Sequence, residues 1–324
     1  MKNYLLIILL LCAGAYNGYG QKKQPSDYHL QKAIDLIQNG DEKEAMKCLD
    51  QQLQETPNDA DARIVRADLY YRQKKYGNAL SDANLAIKYY KKGGIFPKYT
   101  IYWGRARAYY DMEDFDKALA DYDTAYKLAL KDKKGATNIQ EILYGRAQLY
   151  YEQKEYDKAD ADYAQMLKND ETDQSAMVGL IRNMIARKEY DKALEAFQTA
   201  LDQGAEQTQE LYNLTAVCAM KTEDYAKALE CFQAGIALAE SKTGDDKTKA
   251  DTALLQEMEY NVIVCYEQQA DWENAKSAMK QYQADEVDLT LKEDKDLIGG
   301  FMLKVGDHVY DNSLSGKMRK LQQK

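Results

Sequence analysis

The sequence predicts an all-α solenoid of about seven helix–turn–helix units, finished by a small C-terminal β-hairpin and helix. Three observations predict it. One phrase, R-A-x-x-Y-Y, is written three times, at Arg66–Tyr71, Arg105–Tyr110 and Arg146–Tyr151. The aromatic residues Tyr76, Phe115, Tyr156, Tyr190, Tyr225 and Trp272 are each followed three residues later by an alanine: Ala79, Ala118, Ala159, Ala193, Ala228 and Ala275. Apolar positions step by three and four, as one face of a helix requires, and only 3 prolines in 324 residues interrupt the pattern. Successive aromatic markers lie 39, 41, 34, 35 and 47 residues apart, so the basal unit is about 34 residues with insertions.

Residues 1–20 read as an export signal. Lys2 gives a short positive region, Tyr4 to Cys12 an apolar run too short to span a bilayer, and Gly18-Tyr19-Gly20 the small residues of a cleavage site. Cleavage near Gly20–Gln21 predicts an exported chain that is periplasmic, envelope-associated or secreted. A lipid anchor on Cys12 is the less favoured alternative, because Leu11 stands where a small residue is needed. No later segment is apolar enough to cross a membrane.

The solenoid then runs over 21–285, with repeats near 26–59, 60–93, 99–132, 140–173, 174–208, 209–242 and 256–285. The first repeat lacks the aromatic marker but keeps Gly40-Asp41-Glu42-Lys43-Glu44-Ala45. The clearest is Ile101 to Leu130, two amphipathic helices broken at Met112-Glu113-Asp114. Small residues mark close helix approaches at Ala67, Ala106 and Ala147 on first helices, and at Ala86, Ala125, Ala200 and Gly235 on second helices. Met166 and Tyr282 depart from this pattern and predict looser or more bent joints. Lys91–Lys98, Lys131–Asn138 and Ser241–Ala250 are Gly- and Lys-rich insertions, read as loops or helix extensions. After Ala284 the period changes to two. Val287, Leu289 and Leu291, then Phe301, Leu303 and Val305, suggest two strands, Gly306-Asp307 a turn, and Ser313 the cap of a basic helix within a 286–324 tail.

These repeats resemble the tetratricopeptide repeat (TPR) family, which implies a right-handed superhelix whose first helices line a concave groove. The resemblance places Ile64, Asp68, Tyr71, Trp103, Arg107, Tyr110, Tyr144, Gln148, Tyr151, Arg182 and Ile185 in that groove, an aromatic stripe with polar neighbours suited to an extended peptide or helix. The structural alternative is that Tyr71, Tyr110 and Tyr151 simply pack the repeats. The lysine-and-asparagine clamp of chaperone-adaptor TPRs is not recognisable. The tail text Leu297 to Leu321, with Gly299-Gly300, Gly306-Asp307, Asp311 and Ser313, resembles the end of the F-type ATP synthase delta (OSCP-like) subunit. A capping or docking module is the reading preferred for it.

A pairing emerges from comparing the copies. Arg66, Arg105 and Arg146 are each followed sixteen residues later by Asp82, Asp121 and Asp162. Where the first position is Leu180, Thr215 or Val262, the second is Ala196, Cys231 or Ala278. Residues that appear and vanish together predict partly buried ion pairs; an arginine row for an acidic ligand is the alternative.

The chain carries no recognisable catalytic motif. It has only two histidines, His29 and His308, no C-x-x-C, and no phosphate-cradling glycine loop, so catalytic residues, metal ligands and cofactors are all read as none. Cys48, Cys218, Cys231 and Cys265 read as small core residues, with Cys218 and Cys231 the pair to test for a disulfide. A net charge of -9, mixed along the chain, gives no reason for nucleic-acid binding. The expected function is a non-enzymatic protein-interaction scaffold with an unidentified protein or peptide partner. Glycan or peptide capture for uptake is the alternative, and a stalk role in an ATP synthase, from the tail alone, a weaker one.

Overall fold

The computed structural model describes residues 28–132, 136–202, 204–241, 249–282, 302–305 and 308–311. The leader, the strand expected over Val287–Leu291, the turn at Gly306-Asp307 and the helix after Ser313 lie outside these residues. Fourteen helices are described: α1 (Tyr28–Gln38), α2 (Glu42–Glu55), α3 (Ala60–Arg72), α4 (Tyr76–Tyr89), α5 (Lys98–Asp111), α6 (Phe115–Ala129), α7 (Ala136–Glu152), α8 (Tyr156–Asn169), α9 (Gln174–Ala186), α10 (Tyr190–Asp202), α11 (Gln209–Lys221), α12 (Tyr225–Ser241), α13 (Lys249–Gln268) and α14 (Trp272–Tyr282). Along the sequence they fall into seven successive pairs. Two strands, β1 (Met302–Val305) and β2 (His308–Asp311), pair antiparallel in the register Val305 to His308. The chain divides into two compact units, Met1–Gly179 and Leu180–Lys324.

Each aromatic marker is the first residue of its second helix. The alanine three residues on is 0–4% exposed in every copy, because a larger side chain there would hold the paired helices apart. The turn before the second helix is also the same device seven times. Gly40, Lys74, Glu113, Lys154, Lys188, Glu223 and Ala270 all have φ between 57° and 83°. In each turn the following N–H reaches back five residues, as in Lys75 N to Tyr70 O at 2.8 Å and Asp271 N to Tyr266 O at 2.8 Å. This is the left-handed C-terminal cap that glycine favours, yet six of the seven residues carry a Cβ. Ala270→Gly is therefore expected to raise stability by about 0.5–1 kcal/mol, read as a higher thermal midpoint. An unchanged or lower midpoint would contradict that account.

Three sequence expectations need correction. Ala67 is only half-buried, because it lines an open pocket rather than a helix contact. Met166 is 2% exposed, so the larger residue fills its joint. The insertion after α4 is no simple surface loop. Phe96 is 1% exposed in the first core cluster, and the Asp61 carboxylate accepts the N–H groups of Ile95 at 2.8 Å and Phe96 at 3.2 Å.

Candidate functional site

The arginines of the repeated phrase hold the helices of the first unit together. Arg66 donates through Nε and Nη2 to Asp82 at 2.7 and 2.9 Å, Arg105 to Asp121 at 2.6 and 2.7 Å, and Arg146 to Asp162 at 2.8 and 2.6 Å. Each pair is a two-point fork between the helices of one repeat, the strongest geometry open to these groups. The third nitrogen reaches the preceding repeat: Arg66 to Asp50 at 2.7 Å, Arg105 to Asn84 at 2.5 Å, and Arg146 to Asp123 at 2.7 Å. Sequence reasoning missed these three acceptors. The signal was present, since Asn84 and Asp123 stand two residues after Asp82 and Asp121, while Ala164 stands two after Asp162, just ahead of the repeat in which Leu180 replaces the arginine. Asp82 also accepts from Arg63 at 2.8 Å. Tyrosines cover the guanidiniums, with Arg146 4.7 Å from the Tyr126 ring. With all three nitrogens bound inside the fold, these arginines are bracing rather than an open row for a ligand.

The groove residues group differently. Ile64, Asp68, Tyr71, Trp103 and Arg107 come together on one pocket between α3 and α5. Arg107 stacks 4.2 Å from the Tyr71 ring and 5.6 Å from Trp103, with a nitrogen 3.8 Å from Asp68. Asp68 also accepts from Arg72 at 2.8 Å. Burial pushes the Asp68 carboxyl up, and Arg72 and Arg107 oppose that rise. Burial pushes the Tyr71 phenol up to about 12, with Asp111 adding to the rise, so Tyr71 stays a neutral hydroxyl at physiological pH. Tyr110 is raised by burial and then by Glu152 and Asp111.

Tyr71, Tyr110 and Tyr151 are half-buried, each packed on the marker ring of its own repeat: Tyr76 at 5.8 Å, Phe115 at 5.9 Å and Tyr156 at 5.6 Å. Tyr144 and Gln148 bond to each other, the Gln148 amide donating to the phenol at 2.9 Å. Trp103 lines the same pocket but is 3% exposed, packed in the second core cluster with Tyr99, Ala106 and Tyr122, with Arg107 5.6 Å from its ring. Arg182 and Ile185 lie in the second unit, where Arg182 is exposed and pairs with Glu210.

Cys48, Cys218, Cys231 and Cys265 are free and buried, so the Cys218–Cys231 bridge considered from sequence is not formed. Burial pushes Cys218 and Cys231 up to about 11 and Cys265 up to about 12 from 9.0. Above pH 9 an unfolded thiol ionises while the folded one keeps its proton. The stability these sites retain below pH 9 is thus lost progressively towards pH 11–12. The melting temperature is expected to fall over that range, and less steeply in Cys265→Ala. Parallel curves for parent and variant would refute this. Among the described residues there is no group of three or more potential metal ligands, and no helix is long and apolar enough to cross a membrane.

Models of the tetratricopeptide repeat match residues 30–94 and 104–175, and again 150–218, which together span more than half of the sequence. The chain is a tetratricopeptide repeat protein. Solved TPR structures share its fold. A tetratricopeptide repeat protein from Parabacteroides merdae is 22% identical, covering 82% of this chain and 94% of its own, with a TM-score of 0.57. The C-terminal part of a TPR repeat-containing protein from Cytophaga hutchinsonii is 17% identical, covering 79% and 95%, with a TM-score of 0.61. PilW, a widely conserved type IV pilus biogenesis factor, is 17% identical, covering 68% and 96%, with a TM-score of 0.56. No curated protein matches in sequence. In this TPR protein the end is also distinctive: residues 255–324 are similar to the ATP synthase delta (OSCP) subunit. That similarity reaches back beyond the tail over most of α13 and all of α14.

Proposed function

We propose that the protein is a non-enzymatic interaction scaffold, exported from the cytoplasm, that holds an extended peptide or protein segment against the first helices of repeats two to four. The carrying observation is the Asp68–Tyr71–Arg107 cluster, where an ion pair and a stacked ring stand beside an open apolar pocket. Such a combination offers a peptide both hydrogen bonds and burial, the two terms that fix an extended chain. The export reading rests on the leader pattern Lys2, Tyr4–Cys12 and Gly18-Tyr19-Gly20. PilW, a pilus biogenesis factor of the same fold, accords with an assembly role in the envelope. Glycan capture loses support, since of the two rings that would stack on a sugar, Trp103 is 3% exposed and Tyr144 is half-buried and bonded to Gln148. The delta-like end is read as a module that docks or caps the array.

Crosslinking capture from envelope fractions tests the groove, comparing the protein with a Tyr71→Ala/Tyr110→Ala/Tyr151→Ala variant that circular dichroism shows to be folded. A partner held by the parent and lost by the folded variant is the expected result. Equal capture by both would overturn the groove reading. The export reading predicts a mature N-terminus at Gln21 by mass spectrometry, and recovery of a chain retaining Met1 from the cytoplasm would overturn it.

A further inference from the structure

The groove positions of the first repeat are already covered. Gly40 and Lys74, the matching turn residues of repeats one and two, lie 34 residues apart. Leu30, Ile34 and Ile37 on α1 therefore stand where Ile64, Asp68 and Tyr71 stand on α3. The three α1 residues are buried, whereas Ile64, Asp68 and Tyr71, and likewise Tyr144, Gln148 and Tyr151 in the fourth repeat, keep part of their surface exposed. Leu30, Ile34 and Ile37 belong to one core cluster drawn from α1, α2 and α3. The described residues that join it from elsewhere are Ile95 and Phe96, in the segment between α4 and α5.

That segment is held as a ligand would be. Asp61, in the first turn of α3, accepts the N–H groups of Ile95 at 2.8 Å and Phe96 at 3.2 Å. The backbone comes this close because the residue before Ile95 is glycine: a Cβ on Gly94 would stand 2.8 Å from Asp61 Oδ2. The Phe96 ring is buried in the cluster and also walls the pocket beside Asp68 and Arg107, so it stands between that pocket and the groove of repeat one. The residues leading in, Lys91 to Gly94, are exposed and outside any helix, and Gly93 has a φ of 99°. Pro97 follows in extended backbone and starts α5.

We propose that Ile95–Phe96 is a built-in occupant of the groove, a strap that opens to admit a partner segment of the same chemistry: an aliphatic residue, then an aromatic one, with two successive N–H groups for Asp61. The occupant in place shows what the site accepts. The strap is fixed by two bonds to one carboxylate and the burial of one ring, so it opens without unfolding the helices around it. Tethered at both ends, it competes at high effective concentration, and the parent binds such a segment more weakly than a chain whose strap is loosened. This rests on the peptide-holding reading above and extends it to repeat one.

The probe is a fluorescein-labelled, amidated peptide of the chain's own Gly-Gly-Ile-Phe-Pro, residues 93–97, followed by fluorescence anisotropy. Phe96→Ala vacates the ring site, and Phe96→Leu is the milder change if alanine unfolds the first repeat. Saturable binding to the folded variant, at least about tenfold tighter than to the parent, is expected, and the peptide should raise the variant's thermal midpoint. Replacing phenylalanine in the peptide by alanine, or adding Asp61→Ala to the variant, should each abolish binding. No saturable binding by a folded variant, or equal binding by variant and parent, would overturn the proposal. In the parent, excess peptide should speed tryptic cleavage after Lys91 or Lys92. Unchanged cleavage would sink the exchange even if neither variant folds. In the capture experiment, loss in the triple tyrosine variant with no peptide binding by the folded Phe96 variant would leave the groove reading standing and sink the strap. Capture unaffected by the tyrosines, with peptide bound by the Phe96 variant and lost on adding Asp61→Ala, would do the reverse.

Discussion

Arg146→Leu is expected to destabilise the protein by about 3 kcal/mol, and adding Asp162→Ala to the same chain is expected to recover most of that loss. Alone, the first change strands the Asp162 carboxylate, whose side chain is 8% exposed, without the two bonds at 2.8 and 2.6 Å that Arg146 supplies. Burial already pushes Asp162 up, and the arginine opposes that rise, so removing Arg146 leaves burial unopposed. The second change removes the stranded charge. Asp123, the other acceptor of Arg146, is 38% exposed and can be hydrated instead. The double variant reproduces what the fifth repeat already carries, Leu180 with Ala196. In the single variant the raised Asp162 costs stability as pH rises above the unfolded carboxylate value, so the deficit should shrink towards pH 4. Urea unfolding of the four members of the cycle measures the coupling. Additive losses, or a single variant indifferent to pH, would show that the pair does not act as a unit.

That pair was legible in the sequence because repeats provide their own comparison: positions that change together inside one chain report a contact without any second protein. The break between paired helices and the helix starts were legible for a related reason. A three-residue break followed by an aromatic and an alanine is local information, and the same local arrangement recurs. What was not legible depends on neighbours. Trp103 has the sequence position of a groove residue, but its burial is set by Tyr99 and Tyr122. Phe96 stands in a Gly- and Lys-rich insertion whose text reads as a loop, and only Asp61, some thirty residues earlier, turns it inward. The third acceptors of the arginines could have been found by extending the same comparison two residues along.

Gly179→Ala, at the glycine of α9 that the Tyr163 ring of α8 packs against, is expected to destabilise by about 2 kcal/mol although alanine is the better helix former. In an exposed helix interior the exchange would gain roughly 1 kcal/mol. Here the new Cβ would overlap Tyr163 Cζ and stand 2.5 Å from Cε1, inside the radius any carbon tolerates. Tyr163 is 4% exposed, so its ring has no solvent to swing into and the helices must part instead. Overpacking of this kind costs about 1–3 kcal/mol and outweighs the propensity gain. Gly104→Ala in α5, where the added carbon meets nothing within 4 Å, should show the opposite sign and stabilise. A pair of thermal or urea unfolding curves decides it. If both substitutions shift stability the same way, glycine is serving the helix backbone at both sites rather than the ring beside Gly179.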